Sequence, residues 1–315
     1  MKNKIIKRSF ILGDEWIYFK FYTGAKTADK ILEEAVKPIT EHLLKTNKAD
    51  KWFFIRYADP EPHLRVRIHY AKKSHVGIII QTVFKHIEKF VAQELIWKVQ
   101  TDTYQREIER YGIETIELSE QFFFHESNLI TNTLPLLKNP NGETQRWIFA
   151  LKVIVELLDC FKFTLEDKLL LMQSLKDGFG SEFGMNRFLK SQLDNKYRKE
   201  RNLIENSLNS SLENESIISN LIFNLKIYKE AILPLSEKIL ELNSSNNPEI
   251  SIGNLIGSYI HMAMNRIFRS KQRAHELILY DFLFRYFKST IAREKSNEKK
   301  LLELDLNKKS VPLLK

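Results

Sequence analysis

The strongest constraint on this chain is a change of hydrophobic period near residue 144. From about Thr144 onward the apolar residues recur at helical spacing, in Trp147 to Phe161, Leu165 to Lys176, Phe183 to Leu193, Ile217 to Leu242, Leu255 to Phe268 and Arg273 to Ile291. Before that point, short β-branched and aromatic runs interrupt the helical ones. Trp16 to Tyr22 and Trp52 to Tyr57 read as strands, and Asp59-Pro60-Glu61-Pro62 reads as a turn into a third, His63 to Tyr70. The last two form an antiparallel pair. Helices are predicted over Thr27 to Leu44, opened by Thr27-Ala28-Asp29 cap chemistry and blemished by Pro38, and over Val76 to Glu94. A short strand, Ile96 to Gln100, should follow.

Strand, helix, paired strands, helix, strand is the order that a split βαβ layer produces. The expected fold class is therefore α+β. A mixed α/β sheet lobe over residues 1–143 would pack with a mainly helical lobe over residues 144–315, the two making one domain. The Ser- and Asn-rich stretches Asn206 to Glu215 and Asn243 to Asn247 read as surface connectors.

At 315 residues and 43% hydrophobic content the chain can bury a substantial core. It has no uninterrupted apolar stretch of about 18 residues or more, and its start has no signal-peptide pattern, so a cytoplasmic bacterial protein with no membrane span is expected. The single cysteine, Cys160, excludes disulfides within the chain and sits in an apolar helical pattern as a small hydrophobe would. The formal charge of +9 is compatible with acidic partners or nucleic acid, although much of the excess lies in Lys271 to Arg273 and in the tail from Arg293 to Lys315.

Three clusters could carry chemistry. In His63-Leu-Arg-Val-Arg-Ile-His69 strict alternation puts Leu64, Val66 and Ile68 on one face and His63, Arg65, Arg67 and His69 on the other. Like charges in a row repel, so that face should meet water, acidic side chains or an anionic ligand. The second cluster, Asp102 to Gly112, combines Arg106 and Arg110 with Glu107 and Glu109, and surface ion pairs would explain it equally well. In the third, Gly257 to Phe268, His261 and Asn265 lie one turn apart on a helix whose stripe is Ile260, Met264, Ile267 and Phe268. A helical histidine is more often structural than catalytic, yet it is the best neutral-pH proton carrier. Phosphate-loop, dinucleotide, zinc-protease and nucleophile-elbow motifs are absent, and the other histidines lack ligand spacing, so neither a metal nor a cofactor is expected.

Together, Trp52-Phe-Phe-Ile-Arg-Tyr-x-Asp-Pro-x-Pro-His-Leu-Arg-Val-Arg, then Tyr-x-Arg-Glu-x-Glu-Arg-Tyr-Gly, then Ser-x-x-His-Met-x-x-Asn-Arg with a downstream Glu276, resemble the C-terminal domain of class I lantibiotic dehydratases. That domain also occurs alone as the thiopeptide-type bacteriocin biosynthesis protein. Two positions depart from the family pattern: Ile113 follows Gly112 where a second glycine is usual, and Glu126-Ser127 stands where Asp-Ser is usual.

The resemblance implies a stand-alone elimination subunit of a split dehydratase. A separate glutamyl-tRNA-dependent partner would esterify Ser or Thr of a precursor peptide, and this chain would expel the glutamate to leave dehydroalanine or dehydrobutyrine. By motif the essential residues fall on Arg65 or Arg67, on Arg106 and on His261, with Arg56, His63, Arg110, Asn265 and Arg266 in support. Direct tRNA binding is not expected, and the oligomeric state, a homodimer included, stays open. The alternatives are pyridine formation by [4+2] cycloaddition of two dehydroalanines and a non-catalytic subunit that binds the precursor peptide.

Overall fold

The computed structural model describes residues 6–209, 216–244 and 250–309. It opens with a two-residue strand β1 (Ser9–Phe10) and the longer β2 (Trp16–Tyr22), in which only Lys20 is not fully buried. Burial on both faces is why β2 reads as an aromatic run and not as an alternating one.

A helical stretch follows: α1 (Thr27–Ile31), a π turn (Leu32–Val36) and α2 (Lys37–Lys45). Pro38 has no N–H to give the preceding turn, and its ring crowds the carbonyl four residues back. The wider π turn immediately before it relieves that crowding, and Pro38 falls at the start of α2.

β3 (Lys51–Ala58) and β4 (Pro62–His69) form the expected antiparallel hairpin, from Lys51 opposite His69 to Ala58 opposite Pro62. α3 (Val76–Ala92) then leads to β5 (Lys98–Thr101). In the four-stranded sheet the order is β3-β4-β2-β5 with antiparallel neighbours. β2 and β3, joined by a helix, thus run parallel with β4 inserted between them, which is the split βαβ arrangement and makes the fold α+β. β6 (Tyr104–Gln105) returns to pair with β1.

The helices after the sheet are α4 (Ile108–Tyr111), α5 (Ile116–Thr133), α6 (Gly142–Cys160), α7 (Leu165–Glu182), α8 (Arg187–Asn209), α9 (Ser216–Ser244), α10 (Ile252–Ile267) and α11 (Gln272–Lys309). α7 begins with a reciprocal capping box between Thr164 and Asp167 and ends ahead of Gly184, at φ +62, so the next helix starts at Arg187 and not at Phe183. Of the expected connectors, residues 210–215 and 245–247 lie outside the described residues, while Asn206 to Asn209 and Asn243 to Ser244 are helical.

The chain forms two compact units. One comprises residues 1–161 and 211–275, the other residues 162–210 and 276–315. In the first, α5 and α10 pack on β3, and α6 and α9 pack behind them. Cys160 is buried there, and burial pushes its thiol up to about 11. In the second, Arg285 pairs with Asp281 at 2.7 Å and Asp194 at 2.5 Å, tying α11 to α8. Glu276 of that unit is buried and accepts a hydrogen bond from the Tyr280 hydroxyl at 2.9 Å.

Candidate active site

β3 is an edge strand, and its outer edge is occupied by side chains from two helices. Ser127 on α5 accepts the Phe54 N–H at 3.2 Å, and Arg266 on α10 gives its Nε to the Phe54 carbonyl at 2.8 Å. Asn265 grips the next rung from both sides: Oδ1 accepts the Arg56 N–H at 2.9 Å and Nδ2 donates to the Arg56 carbonyl at 2.8 Å. The outward backbone groups of Phe54 and Arg56 are thereby satisfied, and α10 is fixed in register with the strand.

The same amide orients His261. Asn265 Nδ2 also donates to Gln272 Oε1 at 2.8 Å, which turns the Gln272 Nε2 toward His261, 3.2 Å from Nδ1 and 2.9 Å from the carbonyl. With Nδ1 accepting, the neutral imidazole carries its proton on Nε2 and is a donor there.

His261 lines a cavity of about 510 Å³ together with Arg56, His63, Asn265, Arg269, Lys271 and Arg273. Among the described residues, no carboxylate lines it. Buried behind it, Asp29 binds three guanidiniums: Arg56 at 2.6 Å, Arg269 at 2.7 Å and Arg146 at 2.9 Å. Burial alone would raise the Asp29 pKa, but these cations hold it below the usual carboxylate range. The cap chemistry expected of Asp29 is not its role, since α1 has no side-chain cap.

The basic row of β4 does share one face, with Tyr18, Lys20 and Tyr22 of β2 and Phe53, Ile55 and Tyr57 of β3. Much of its repulsion is met by aromatic rings. Arg65 lies 3.4 Å over the Tyr57 ring, and the buried Arg67 has Tyr18, Tyr104 and Phe53 at 4.4, 5.0 and 5.2 Å. His63 donates from Nδ1 to the Glu61 carbonyl at 2.8 Å and accepts the Arg65 Nε at 3.1 Å on Nε2. Burial, reinforced by Arg65, pushes its pKa down and keeps it neutral.

Arg67 and Arg266 line a second, smaller cavity of about 30 Å³, room for roughly one water, beside Glu107, Tyr104 and Met262. Arg266 is fully buried against Glu126, whose carboxyl burial pushes up to about 7. The two cavities follow one another along the seam of β3 and α10, His261 and Asn265 on the first, Met262 and Arg266 on the second.

Arg106 lines neither cavity. It forks onto buried Glu120 of α5, Nε to Oε1 at 2.7 Å and Nη2 to Oε2 at 2.8 Å, and Tyr104 donates to the same carboxylate at 2.9 Å. Arg110 gives its Nε to Ser258 at 3.2 Å and pairs with Glu107 at 3.3 Å. His63, His261, Arg56 and Asn265 are thus brought together, Arg65 adjoins them through His63, and Arg67 meets Arg266 in the neighbouring cavity.

The sequence pattern assigned Asp29 only a capping role, left Gln272 and Arg269 unmarked, and included Glu107 in a cluster without singling it out. Gln272 and Arg269 carry no local pattern; only the approach of α10 to the start of α11 gives them a role. Among the described residues, no group of three or more His, Cys, Asp or Glu is arranged to hold a metal ion, and no helix is long and apolar enough to cross a membrane.

A family model for the lantibiotic biosynthesis dehydratase C-terminal region matches residues 16–287, from the first long strand into α11. The chain belongs to that family. The nisin biosynthesis protein NisB of Lactococcus lactis subsp. lactis is 27% identical over 275 residues, 87% of this chain and 26% of NisB. The dehydratase-family chain thus spans about a quarter of that relative. In fold it resembles the tRNA-dependent lantibiotic dehydratase MibB of Microbispora sp. 107891, with a TM-score of 0.74 at 20% identity over 92% of this chain and 29% of MibB. The fold is also that of TbtD, the pyridine synthase of thiomuracin biosynthesis, with a TM-score of 0.60 at 13% identity over 88% of this chain and 99% of TbtD.

Proposed function

We propose that this chain performs β-elimination of glutamate from glutamylated Ser or Thr of a precursor peptide, yielding dehydroalanine or dehydrobutyrine. The observation that carries this reading is the cavity in which His261 meets Arg56, His63 and Arg269 with no carboxylate among its described lining residues. A pocket of that kind suits a group that leaves as an anion.

In the reaction the Cα proton goes to a base, its electron pair forms the Cα=Cβ bond, and the Cβ–O bond breaks with glutamate departing as a carboxylate. His261 hydrogen-bonds through its Nε2–H to the departing carboxylate oxygen and keeps that proton, an assignment supported by the acceptor role of Nδ1 toward Gln272. Arg65 and the cavity cations receive the leaving anion, while Arg67 stabilises the enolate-like oxygen. Glu107, the carboxylate beside Arg67, takes the Cα proton. Arg106 acts as a positioning residue through Glu120 and Tyr104, whose ring stands against Arg67. The chain spans 26% of NisB and 29% of MibB, and neither the glutamylation step nor a tRNA contact is assigned to these residues.

The likeness to TbtD over nearly its whole length favours one other reading, [4+2] cycloaddition of two dehydroalanines. A cycloaddition has no carboxylate to expel, so the cationic cavity argues for elimination. Incubating the protein with a synthetic O-glutamyl-seryl peptide separates the readings by mass. Glutamate loss that stops in His261→Ala supports elimination; an intact glutamyl peptide, or cyclisation of a bis-dehydroalanine peptide with leader release, overturns it.

A further inference from the structure

Five arginines are buried among the described residues, and four of them have a carboxylate: Arg56 and Arg146 share Asp29, Arg106 has Glu120 and Arg266 has Glu126. Arg67 is the exception. It is 8% exposed, its Nε is buried with no partner, and among the described residues no carboxylate pairs with it. The rings of Tyr18, Tyr104 and Phe53 attract the charge without neutralising it. A buried cation left unpaired is costly and rare, and a bound anion is its simplest explanation.

A second orphan donor belongs to the same cavity. Arg266 gives its Nε to the Phe54 carbonyl and its Nη1 to Glu126, which leaves Nη2 buried with no partner. Both arginines line the cavity of about 30 Å³ beside β3 and α10. Glu107, the one carboxylate among its described lining residues, is 63% exposed and already paired with Arg110. Space for roughly one water excludes a carboxylate or phosphate group but admits a single charged atom. Guanidinium is weakly hydrated, which suits it to an anion that gives up its water readily.

We infer that the cavity shared by Arg67 and Arg266 binds one monatomic anion of the chloride class, and that this anion and the reacting substrate exclude each other. The site stands on the two arginines alone. The exclusion rests on the elimination reading, in which Arg67 holds the enolate-like oxygen.

Chlorine NMR of the whole protein tests the site, with potassium gluconate, an anion too large for the cavity, keeping the ionic strength constant. The chloride line should broaden with the unaltered protein, and Arg67→Met should lose most of that excess width. Glu107→Gln takes a negative charge off the cavity wall and leaves both arginines in place, so it should tighten chloride binding by about 3-fold. No excess width with the unaltered protein overturns the site. The same excess in Arg67→Met that is folded by circular dichroism means an adventitious ion only, and overturns it too. If Arg67→Met does not fold, an unchanged affinity in Glu107→Gln does so instead. Kinetics test the exclusion: replacing gluconate by chloride should raise KM for the O-glutamyl-seryl peptide several-fold and leave kcat unchanged, and equal KM in the two salts removes it. If the peptide is not eliminated in either salt, the elimination reading fails by itself, and the line widths still decide the site.

Discussion

Asn265 and Gln272 show how one amide can hold a strand edge and a second can aim an imidazole. Asn265→Ala frees two backbone groups of Arg56 as well as Gln272, so a loss of about 1–3 kcal/mol in stability is expected in denaturant titration, together with slower elimination. Gln272→Ala leaves the strand edge intact. Its stability should be almost unchanged while kcat falls on the order of 10-fold, because His261 loses the contact that fixes its tautomer. His63 makes a pH prediction with a definite sign. The fold keeps it neutral, so its folded pKa lies below the unfolded value of about 6.5, and the unfolded chain takes up a proton that the fold refuses. Its contribution is fully present above that pH and is lost as the pH falls. His63→Gln should therefore show a smaller drop in Tm between about pH 7 and about pH 5 than the unaltered protein. Of these residues His63, Asn265 and His261 were legible from motif; Gln272 was not, because its partner is 11 residues away on another helix.

At the scale of elements, α5 is the one that periodicity failed to reveal. Ser119, Glu120, Glu126, Ser127, Thr131 and Thr133 are all buried on it beside Phe122 and Phe123, so polar and apolar positions mix on its inner faces. Those polar groups hold other elements: Glu120 takes Arg106 and Tyr104 of the β6 region, Ser127 takes the β3 edge, and Glu126 takes Arg266 of α10. A helix that serves as a scaffold of buried acceptors cannot show a clean amphipathic stripe. Glu120→Ala leaves the Arg106 guanidinium buried without its fork, and a loss of about 3–5 kcal/mol is expected. The small β1–β6 ribbon, anchored by Arg106 to Glu120, should lose amide protection at Phe10 and Tyr104 before the four-stranded sheet does, as read by hydrogen exchange. The four long strands were legible because β-branched and aromatic runs bounded by turn residues have few other folds open to them. β1 and β6, two residues each, were too short to leave a pattern.

For the molecule as a whole, a formal charge of +9 combined with a cationic cavity should make peptide binding sensitive to salt. Raising potassium chloride from about 50 mM to about 500 mM should raise KM for an O-glutamyl peptide several-fold and leave kcat nearly unchanged; a flat KM would mean that charge plays little part in recognition. Composition and period alone determined an α+β chain with its strands early and its helices late, and alternation in β4 determined that four basic groups share a face. Only tertiary structure decided which of those cations face solvent, which are sandwiched by rings, and which meet His261. Alternation specifies a face but not what covers it, and the cavity arises where the β3 edge, α10 and the start of α11 converge from positions about 200 residues apart.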